Sequence, residues 1–169
     1  HPKMDKASLS HAQYMSGERA IGHQENISRP GFTGERVRDR ILEAGYDYQP
    51  GTIALEVVST GHEPAAAVDS WMNSVYHRKP FTLPTWHDVG FGQSENYSSM
   101  AFISARPGVE RTAIIYPANG QVDVNPYFDS DSEMPDPAPE HGMVGTPITV
   151  TVSDVDITGP GTNPYRLAL

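Results

Sequence analysis

The chain has 169 residues, with 12 Lys and Arg against 21 Asp and Glu, which gives a formal net charge of −9. An acidic surface repels phosphate backbones and anionic lipid, and no apolar run approaches the roughly 18 residues of a membrane span, so nucleic acid and membrane insertion are excluded. The chain contains no cysteine, which excludes a disulfide framework and a cysteine-based zinc or redox site.

The first helix is predicted from a stripe of small and apolar residues. They recur at steps of four and three: Met4, Ser8, Ala12 and Met15. This spacing places them on one side of a helix, which we expect to be buried. Because the chain opens at His1 within this pattern, we expect it to derive from a longer parent sequence.

The second helix is predicted to begin at an N-cap, Thr33, and to stop at Gly45. Its apolar stripe is Val37, Ile41 and Leu42. Ile41 and Leu42 follow Val37 by four and five positions, which is typical of a helix with one packed side.

A β-rich run at 53–58 predicts a strand with Glu56 embedded in it. Pro64 suits the first turn of a third helix, which we expect to run to Met72. After a predicted loop at 77–86, two further strand patterns follow on either side of a turn.

The two strand patterns lie at 89–93 and 98–105, and Glu95-Asn96 between them predicts a hairpin. Composition then shifts, and strands without helices are predicted at 112–116, 148–152 and 165–169. Between them lies an acidic stretch at 129–140, whose Pro-x-Pro-x-Pro run (Pro135, Pro137 and Pro139) predicts an extended connector that is neither strand nor helix. We therefore interpret residues 106–169 as a separate β-rich module.

Three of these elements carry residues that could form a site. His23 follows the first helix, Glu56 lies among aliphatic neighbours on its strand, and His77 follows the third helix. Two neutral imidazoles and one carboxylate suit a divalent ion such as zinc with an open position. The same residues equally fit hydrogen-bonded side chains that hold the fold together, and His11 is interpreted as a packing residue.

Several short segments within residues 2–105 match one family in chain order. They are His11-Ala12-Gln13-Tyr14-Met15, Gly22-His23-Gln24-Glu25, Phe32-Thr33-Gly34, Glu43-Ala44-Gly45-Tyr46, Trp71-Met72-Asn73-Ser74, His77-Arg78 and Asp88-Val89-Gly90-Phe91-Gly92. Together they resemble the bacterial branch of the CAP superfamily. That superfamily, also called the SCP-like extracellular domain, includes cysteine-rich secretory proteins, insect antigen 5 and plant pathogenesis-related proteins.

The resemblance implies an α+β fold, with a three-layer α/β/α sandwich at 1–105. It is followed at 106–169 by a β-rich extension that resembles an incomplete Ig-like segment. An extracellular or cell-envelope location is also implied. No export signal is visible within the chain itself.

The resemblance further implies a cleft lined by two histidines and two glutamates. These fall on His23, His77 and Glu56, whereas the position of the second glutamate holds Ser74. The family's asparagine after the strand glutamate is replaced by Val57. With one carboxylate fewer, we expect weaker cation binding and no two-carboxylate acid/base mechanism.

Two functions stay open, and whether the chain is an enzyme stays open with them. The first is an exported binding or interaction module whose cleft takes a small-molecule, peptide or glycan ligand. The second is a divalent-metal-dependent hydrolase that uses His23, Glu56 and His77. Its general base would have to be Glu25 or Glu63, because Ser74 stands at the better-placed position.

Three other sites were weighed against simpler interpretations. A serine hydrolase built on Ser74 and His77 lacks a recognisable oxyanion-hole motif. A copper site at His1 lacks a second histidine assigned to it. The acidic run at 129–133 has clustered oxygens of the kind calcium prefers but not the EF-hand spacing, so a solvated linker is the simpler interpretation.

Overall fold

The computed structural model describes residues 1–49, 51–61, 63–104, 112–153 and 167–168. The chain divides into two compact units, which are 1–69 with 85–106, and 70–84 with 107–169. The combination of helices with antiparallel sheets confirms the predicted α+β class. The predicted domain boundary between residues 105 and 106 stays a prediction.

In the part of the first unit that the structure describes there are two helices, most of a third, and one sheet. Its elements are α1 (Pro2–Glu18), α2 (Val37–Glu43), β1 (Ile53–Thr60), α3 (Pro64–Met72), β2 (Trp86–Ser94) and β3 (Tyr97–Ser104). The division between the units falls within α3, after Asp69. The strand order is β1-β3-β2, and both pairings are antiparallel. The register aligns Glu56 and Gly90 with Ala101, so these three residues form one row across the sheet.

The stripe predicted for the first helix is confirmed. All four of its residues are buried: Met4, Ser8, Ala12 and Met15. Met4 and Ala7 pack with Ile41 of α2 and with Ala101 and Ile103 of β3, so the core of this unit lies between helices and sheet.

Two glycines of β2 allow α1 to approach the strand backbone. A Cβ atom on Gly90 would lie 2.1 Å from the backbone carbonyl carbon of Met4, and one on Gly92 would lie 2.1 Å from the amide nitrogen of Leu9. Those separations are far below van der Waals contact, so glycine is required at both positions for this packing.

The prediction for α2 is partly wrong. Its N-cap is Arg36, and Thr33 lies upstream, where it bonds to the side chain of Glu25. Leu42 is 45% exposed, whereas Arg40 is buried beside Ile41. The helix stop is confirmed, because Gly45 follows the C-cap with a φ of +82°, a conformation that favours glycine.

The predicted strand at 53–58, the helix from Pro64 and the hairpin are confirmed, each with small shifts in its limits. Glu95 in the hairpin turn has a φ of +53°. The last residue predicted for the second hairpin strand, Ala105, lies outside the described residues.

Among its described residues, the second unit contains the end of α3, one short helix and two small antiparallel sheets. Its further elements are α4 (Val75–Arg78), β4 (Thr112–Tyr116), β5 (Tyr127–Asp129), β6 (Met143–Gly145), β7 (Thr149–Ser153) and β8 (Leu167–Ala168). The strand orders are β4-β7-β8 and β5-β6. The predicted strand at 112–116 is confirmed, and the one predicted at 148–152 is displaced by one residue to β7.

One prediction for this region is wrong. The expected loop at 77–86 includes the end of α4, a 3₁₀ turn at Lys79–Thr82 and the start of β2. The Pro-x-Pro-x-Pro run at 135–139 contains neither strand nor helix, as predicted, and it follows β5 and a 3₁₀ turn at Ser130–Ser132. Of the strand predicted at 165–169, the described part is β8, and the other positions lie outside the described residues.

Arg78 joins the segments of the second unit. Its side chain is buried, and its Nε donates to the carbonyl oxygen of Met72 at 2.6 Å. Nη1 donates to the carbonyl oxygen of Pro147 at 2.8 Å, and the guanidinium lies 4.0 Å from the ring centroid of Tyr116. These contacts make Arg78 a structural residue of the second unit.

No helix among the described residues is both long and apolar enough to cross a membrane.

Substitution of Gly90 tests the packing of α1 on β2. We expect Gly90→Ala to lower the free energy of unfolding by about 3 kcal/mol, because the added methyl group overlaps the α1 backbone. Gly17→Ala is the matched control. Gly17 lies in α1 with nothing within 4 Å of an added Cβ, so that variant is expected to be stabilised by about 0.5–1 kcal/mol. Urea denaturation measures both, and equal stability of the two variants would contradict the packing.

Candidate functional site

The four predicted cleft residues are divided between the two units. His23 and Glu56 belong to the first unit, and Ser74 and His77 belong to the second. The convergence of all four on one cleft stays a prediction.

In the first unit, the carboxylate of Glu56 is buried and fully engaged. Its side chain is 3% exposed. Both of its oxygens accept from Nη2 of Arg40 at 2.8 Å. Oε1 also accepts from Oγ of Ser99, and Oε2 lies within hydrogen-bond distance of Nδ1 of His23, each at 3.2 Å. Four contacts use the acceptor capacity of this carboxylate.

Arg40 also holds the loop that precedes α2. Its Nη1 donates to the carbonyl oxygens of Gly34 and Glu35, and both Nη1 and Nη2 donate to that of His23, all at 3.2 Å. One buried guanidinium therefore connects both ends of the loop between α1 and α2 to β1. Its five N–H donors in a rigid fork suit this arrangement, which a lysine ammonium could not reproduce.

His11 and Glu25 extend the same buried cluster. Nε2 of His11 lies 2.8 Å from the carbonyl oxygen of Gly22, and Nδ1 lies 2.9 Å from Oε1 of Glu25. Oε2 of Glu25 accepts from the backbone nitrogens of Thr33 and Gly34 at 2.6 and 3.2 Å. Both ring nitrogens of His11 therefore lie against oxygen atoms, which holds the ring in place between α1 and the loop that follows it.

Arg40 lies between the two carboxylates of this cluster. Its Nη2 lies 2.8 Å from Oε2 of Glu56, and its Nε lies 3.8 Å from Oε1 of Glu25. Burial by itself would raise the pKa of Glu56, but the hydrogen bond from His23 and the charges of Arg40 and His11 outweigh it and hold that pKa below its ordinary value. Burial likewise raises, and the bonds from His11 and Thr33 lower, the pKa of Glu25, which is lowered overall.

His23 stands at the edge of this cluster, and its side chain is 54% exposed. Because Nδ1 is occupied by Glu56, the second ring nitrogen, Nε2, is the one available to a ligand. The structure gives Nε2 no hydrogen-bond partner among the described residues. Arg40 bonds to the backbone of the loop that carries His23, so this imidazole projects from a fixed segment of the chain.

These contacts weigh against Glu56 as a metal ligand, because a metal would have to displace a buried guanidinium. Within the described ranges, no three His, Asp or Glu side chains form a group that could hold a metal ion. A carboxylate that binds the far nitrogen of a histidine usually orients the ring rather than ligating the metal itself. The zinc assignment to His23, Glu56 and His77 thus stays a prediction without support from the geometry of Glu56.

In the second unit, Ser74 and His77 are brought together with a carboxylate that the sequence did not suggest. Ser74 is the N-cap of α4, and its Oγ lies 2.7 Å from Nδ1 of His77. Oγ also donates to Oε1 of Glu133, which lies 3.7 Å from Nδ1 of His77. Glu133 is buried, so the solvated-linker interpretation of the acidic run is wrong at this residue.

This arrangement does not suit Ser74 as a nucleophile. A catalytic serine needs a base that accepts its hydroxyl proton. Here that proton is donated to Glu133, and Oγ also accepts the backbone N–H of His77 at 3.1 Å, as an N-cap does. The serine-hydrolase interpretation therefore gains no support.

The second unit also contains an apolar cavity of about 220 Å³. It is lined by Val75, Phe128, Pro137, Ala138, Val144, Gly145, Pro147 and Ile148. Val75 connects this cavity to the polar group around Glu133, because the two neighbours of Val75 in the chain, Ser74 and Tyr76, both bond to Glu133.

The family model described as CAP, the cysteine-rich secretory protein family, matches residues 1–105. The chain belongs to the CAP family. The predicted CAP resemblance is thereby confirmed, whereas the assignment to a bacterial branch stays a prediction.

Among solved structures, this CAP chain is similar to an extracellular protein containing an SCP domain from Bacillus anthracis str. Ames. The two are 21% identical, with a TM-score of 0.53 over 61% of this chain and 32% of the other. The chain thus spans about a third of that protein's length, and the likeness shows the fold. A comparison with curated proteins finds no match.

Sequence reasoning missed three members of these clusters. Arg40 lies three residues after Val37, on the apolar side of α2, and a charged residue in that position indicates a buried ion pair. His11 lies one residue before Ala12 of the buried stripe, and it was interpreted as a packing residue. Glu133 had no detectable signal, because its partners lie 59 and 57 residues away in the chain.

Acid titration tests the ionised state of Glu56. Its pKa is lowered in the folded protein from an ordinary value of 4.5, so below that pH the unfolded chain binds more protons than the folded one. The stabilisation is therefore complete above pH 4.5 and is lost as the pH falls through the folded value. Urea denaturation midpoints should be measured from neutral to acid pH. The difference between the midpoints of the wild type and Glu56→Gln should become smaller as the pH falls.

Glu35→Gln is the control, because Glu35 is exposed and its side chain takes no part in the cluster. Its midpoint should follow that of the wild type at every pH. A constant gap for Glu56→Gln across the acid range would show that Glu56 is not ionised in the folded protein.

Proposed function

We propose that this CAP-family chain is an exported binding module that recognises its ligand through the exposed imidazoles of His23 and His77. Their carboxylate partners orient the rings and do not act on the ligand themselves. The alternative, a divalent-metal-dependent hydrolase that uses His23, Glu56 and His77, is not favoured by any contact among the described residues of either unit.

The observation that carries the proposal is the pairing of Glu56 with Arg40. A hydrolase of the alternative kind needs this carboxylate free to ligate a metal or to accept a proton from water. Glu56 instead accepts from Arg40, Ser99 and His23. Glu25, the substitute base, is also buried and bonded to His11, Thr33 and Gly34.

The chemistry of the available groups favours a neutral or cationic ligand with hydroxyl or N–H donors. An imidazole whose Nδ1 is occupied offers Nε2 as the acceptor. The net charge of −9 disfavours anionic ligands. The apolar cavity beside Val75 supports a ligand that also has a small apolar portion.

Export is proposed from the family and from the structural relative. The similar protein from Bacillus anthracis str. Ames is described as extracellular, and it contains an SCP domain. A neutral ligand on an extracellular domain is consistent with a peptide or a glycan, which are the two ligand types favoured here.

The proposal is tested by NMR titration of the full chain with three defined probes: chitotriose, trialanine, and octyl glucoside below its micelle concentration. At least one of them should shift the imidazole resonances of His23 or His77 saturably. His23→Ala should weaken that binding by about tenfold or more, the loss of one good hydrogen bond to a ligand. The control is His87→Ala, which removes another exposed histidine of the first unit and should leave the affinity unchanged.

The hydrolase alternative is measured on the same samples with p-nitrophenyl acetate and zinc. Zinc-dependent turnover that His23→Ala abolishes, together with no saturable shift from any probe, would overturn the binding proposal. Binding without turnover supports it.

A further inference from the structure

A buried carboxylate from the C-terminal region lies against the start of α4. Glu133 follows the 3₁₀ turn at Ser130–Ser132, and its side chain is 2% exposed. Oε1 accepts the hydroxyl proton of Ser74, and Oε2 accepts the backbone N–H of Tyr76 at 3.3 Å. Both bonds fix the carboxylate on α4, although more than fifty residues separate Glu133 from that helix in sequence.

The ionisation of Glu133 decides the direction of these bonds. Burial alone would raise its pKa, but the bonds from His77 and Ser74 outweigh burial, and the pKa lies below its ordinary value. An ionised carboxylate only accepts hydrogen bonds. The single hydroxyl proton of Ser74 is therefore committed to Glu133.

The protons of His77 follow from this. Oγ of Ser74, having donated its proton, can only accept from Nδ1 of His77, 2.7 Å away. Nδ1 must then carry the ring proton. A neutral imidazole has one N–H, so Nε2 is left with its lone pair. The ring of His77 is 37% exposed, which leaves that lone pair open to a ligand.

We propose that Glu133, acting through Ser74, is a positioning residue that holds His77 in the Nδ1–H tautomer and thereby makes Nε2 a hydrogen-bond acceptor for the ligand. This inference rests on the proposed function for its biological meaning, since it identifies the ligand group at His77 as a donor, either a hydroxyl or an N–H. The tautomer itself is independent of any ligand. It also gives the C-terminal region a direct role in the chemistry of α4.

The tautomer is read from long-range ¹H–¹⁵N spectra of the full ¹⁵N-labelled chain near neutral pH. A His77→Gln variant assigns the ring. We expect the Nδ1–H form in the wild type. In Glu133→Met, which keeps the bulk of the side chain, the hydroxyl proton of Ser74 has no carboxylate to accept it and turns to Nδ1, so His77 should switch to the Nε2–H form.

Ser74→Ala removes the connecting hydroxyl and should also release the ring from a single tautomer. Glu140→Met is the matched control, because Glu140 is an exposed carboxylate of the same segment and should leave the tautomer unchanged. A purely structural role for Glu133 would alter stability without moving the tautomer. An Nε2–H ring in the wild type, or an unchanged Nδ1–H ring in both folded variants, overturns the proposal.

The outcomes separate this inference from the proposed function. If His77 is in the Nδ1–H form and no probe binds, the positioning role stands and the binding function fails. If a probe binds while the wild-type ring is in the Nε2–H form, the binding function stands and the positioning role fails. Where Glu133→Met does not fold, the wild-type tautomer and Ser74→Ala still decide.

Discussion

The ion pair between Arg40 and Glu56 is the constraint on which the first unit depends. Each ion removed from water costs several kcal/mol of hydration, and only close pairing with further hydrogen bonds offsets that loss. The structure meets this condition by surrounding Glu56 with donors and by placing the ring of His11 next to Glu25. The same guanidinium also secures the loop that carries His23, so fold and site share one interaction.

Each unit holds a partly exposed histidine ring through its Nδ1 atom, and the two do so in a similar way. His23 is held at Nδ1 by Glu56 directly, and His77 is held at Nδ1 by Glu133 through Ser74. In each case the carboxylate is buried and bonded to a side chain that also bonds to the backbone. The histidine ring is partly exposed. A carboxylate in this position sets which ring nitrogen a ligand meets, which is the usual task of an outer partner of histidine.

Much of the fold could be predicted, because local patterns encode it. The stripe from Met4 to Met15, the strand around Glu56 and the glycine stop at Gly45 depend on neighbours in sequence, and all three were correct. The site was less accessible. His23, Glu56 and His77 were selected by their ligand chemistry and by resemblance, and Ser74 by resemblance alone, but the partners of all four depend on tertiary contacts. Arg40 left a weak signal on an apolar helix side, and Glu133 left none, because an acidic, proline-rich sequence gives no indication of which carboxylate becomes buried.

The account is tested most directly by a double-mutant cycle on Arg40 and Glu56, measured as free energies of unfolding in urea at neutral pH. Arg40→Met alone should cost about 3–5 kcal/mol, because it leaves buried carboxylates unpaired. Arg38→Met, on the exposed side of the same helix, should cost no more than about 1 kcal/mol. If the pair is the constraint described, Arg40→Met and Glu56→Gln together should cost about 2 kcal/mol less than the sum of the single changes. A coupling within about 0.5 kcal/mol of zero would show that Glu56 does not depend on Arg40 and would contradict the account.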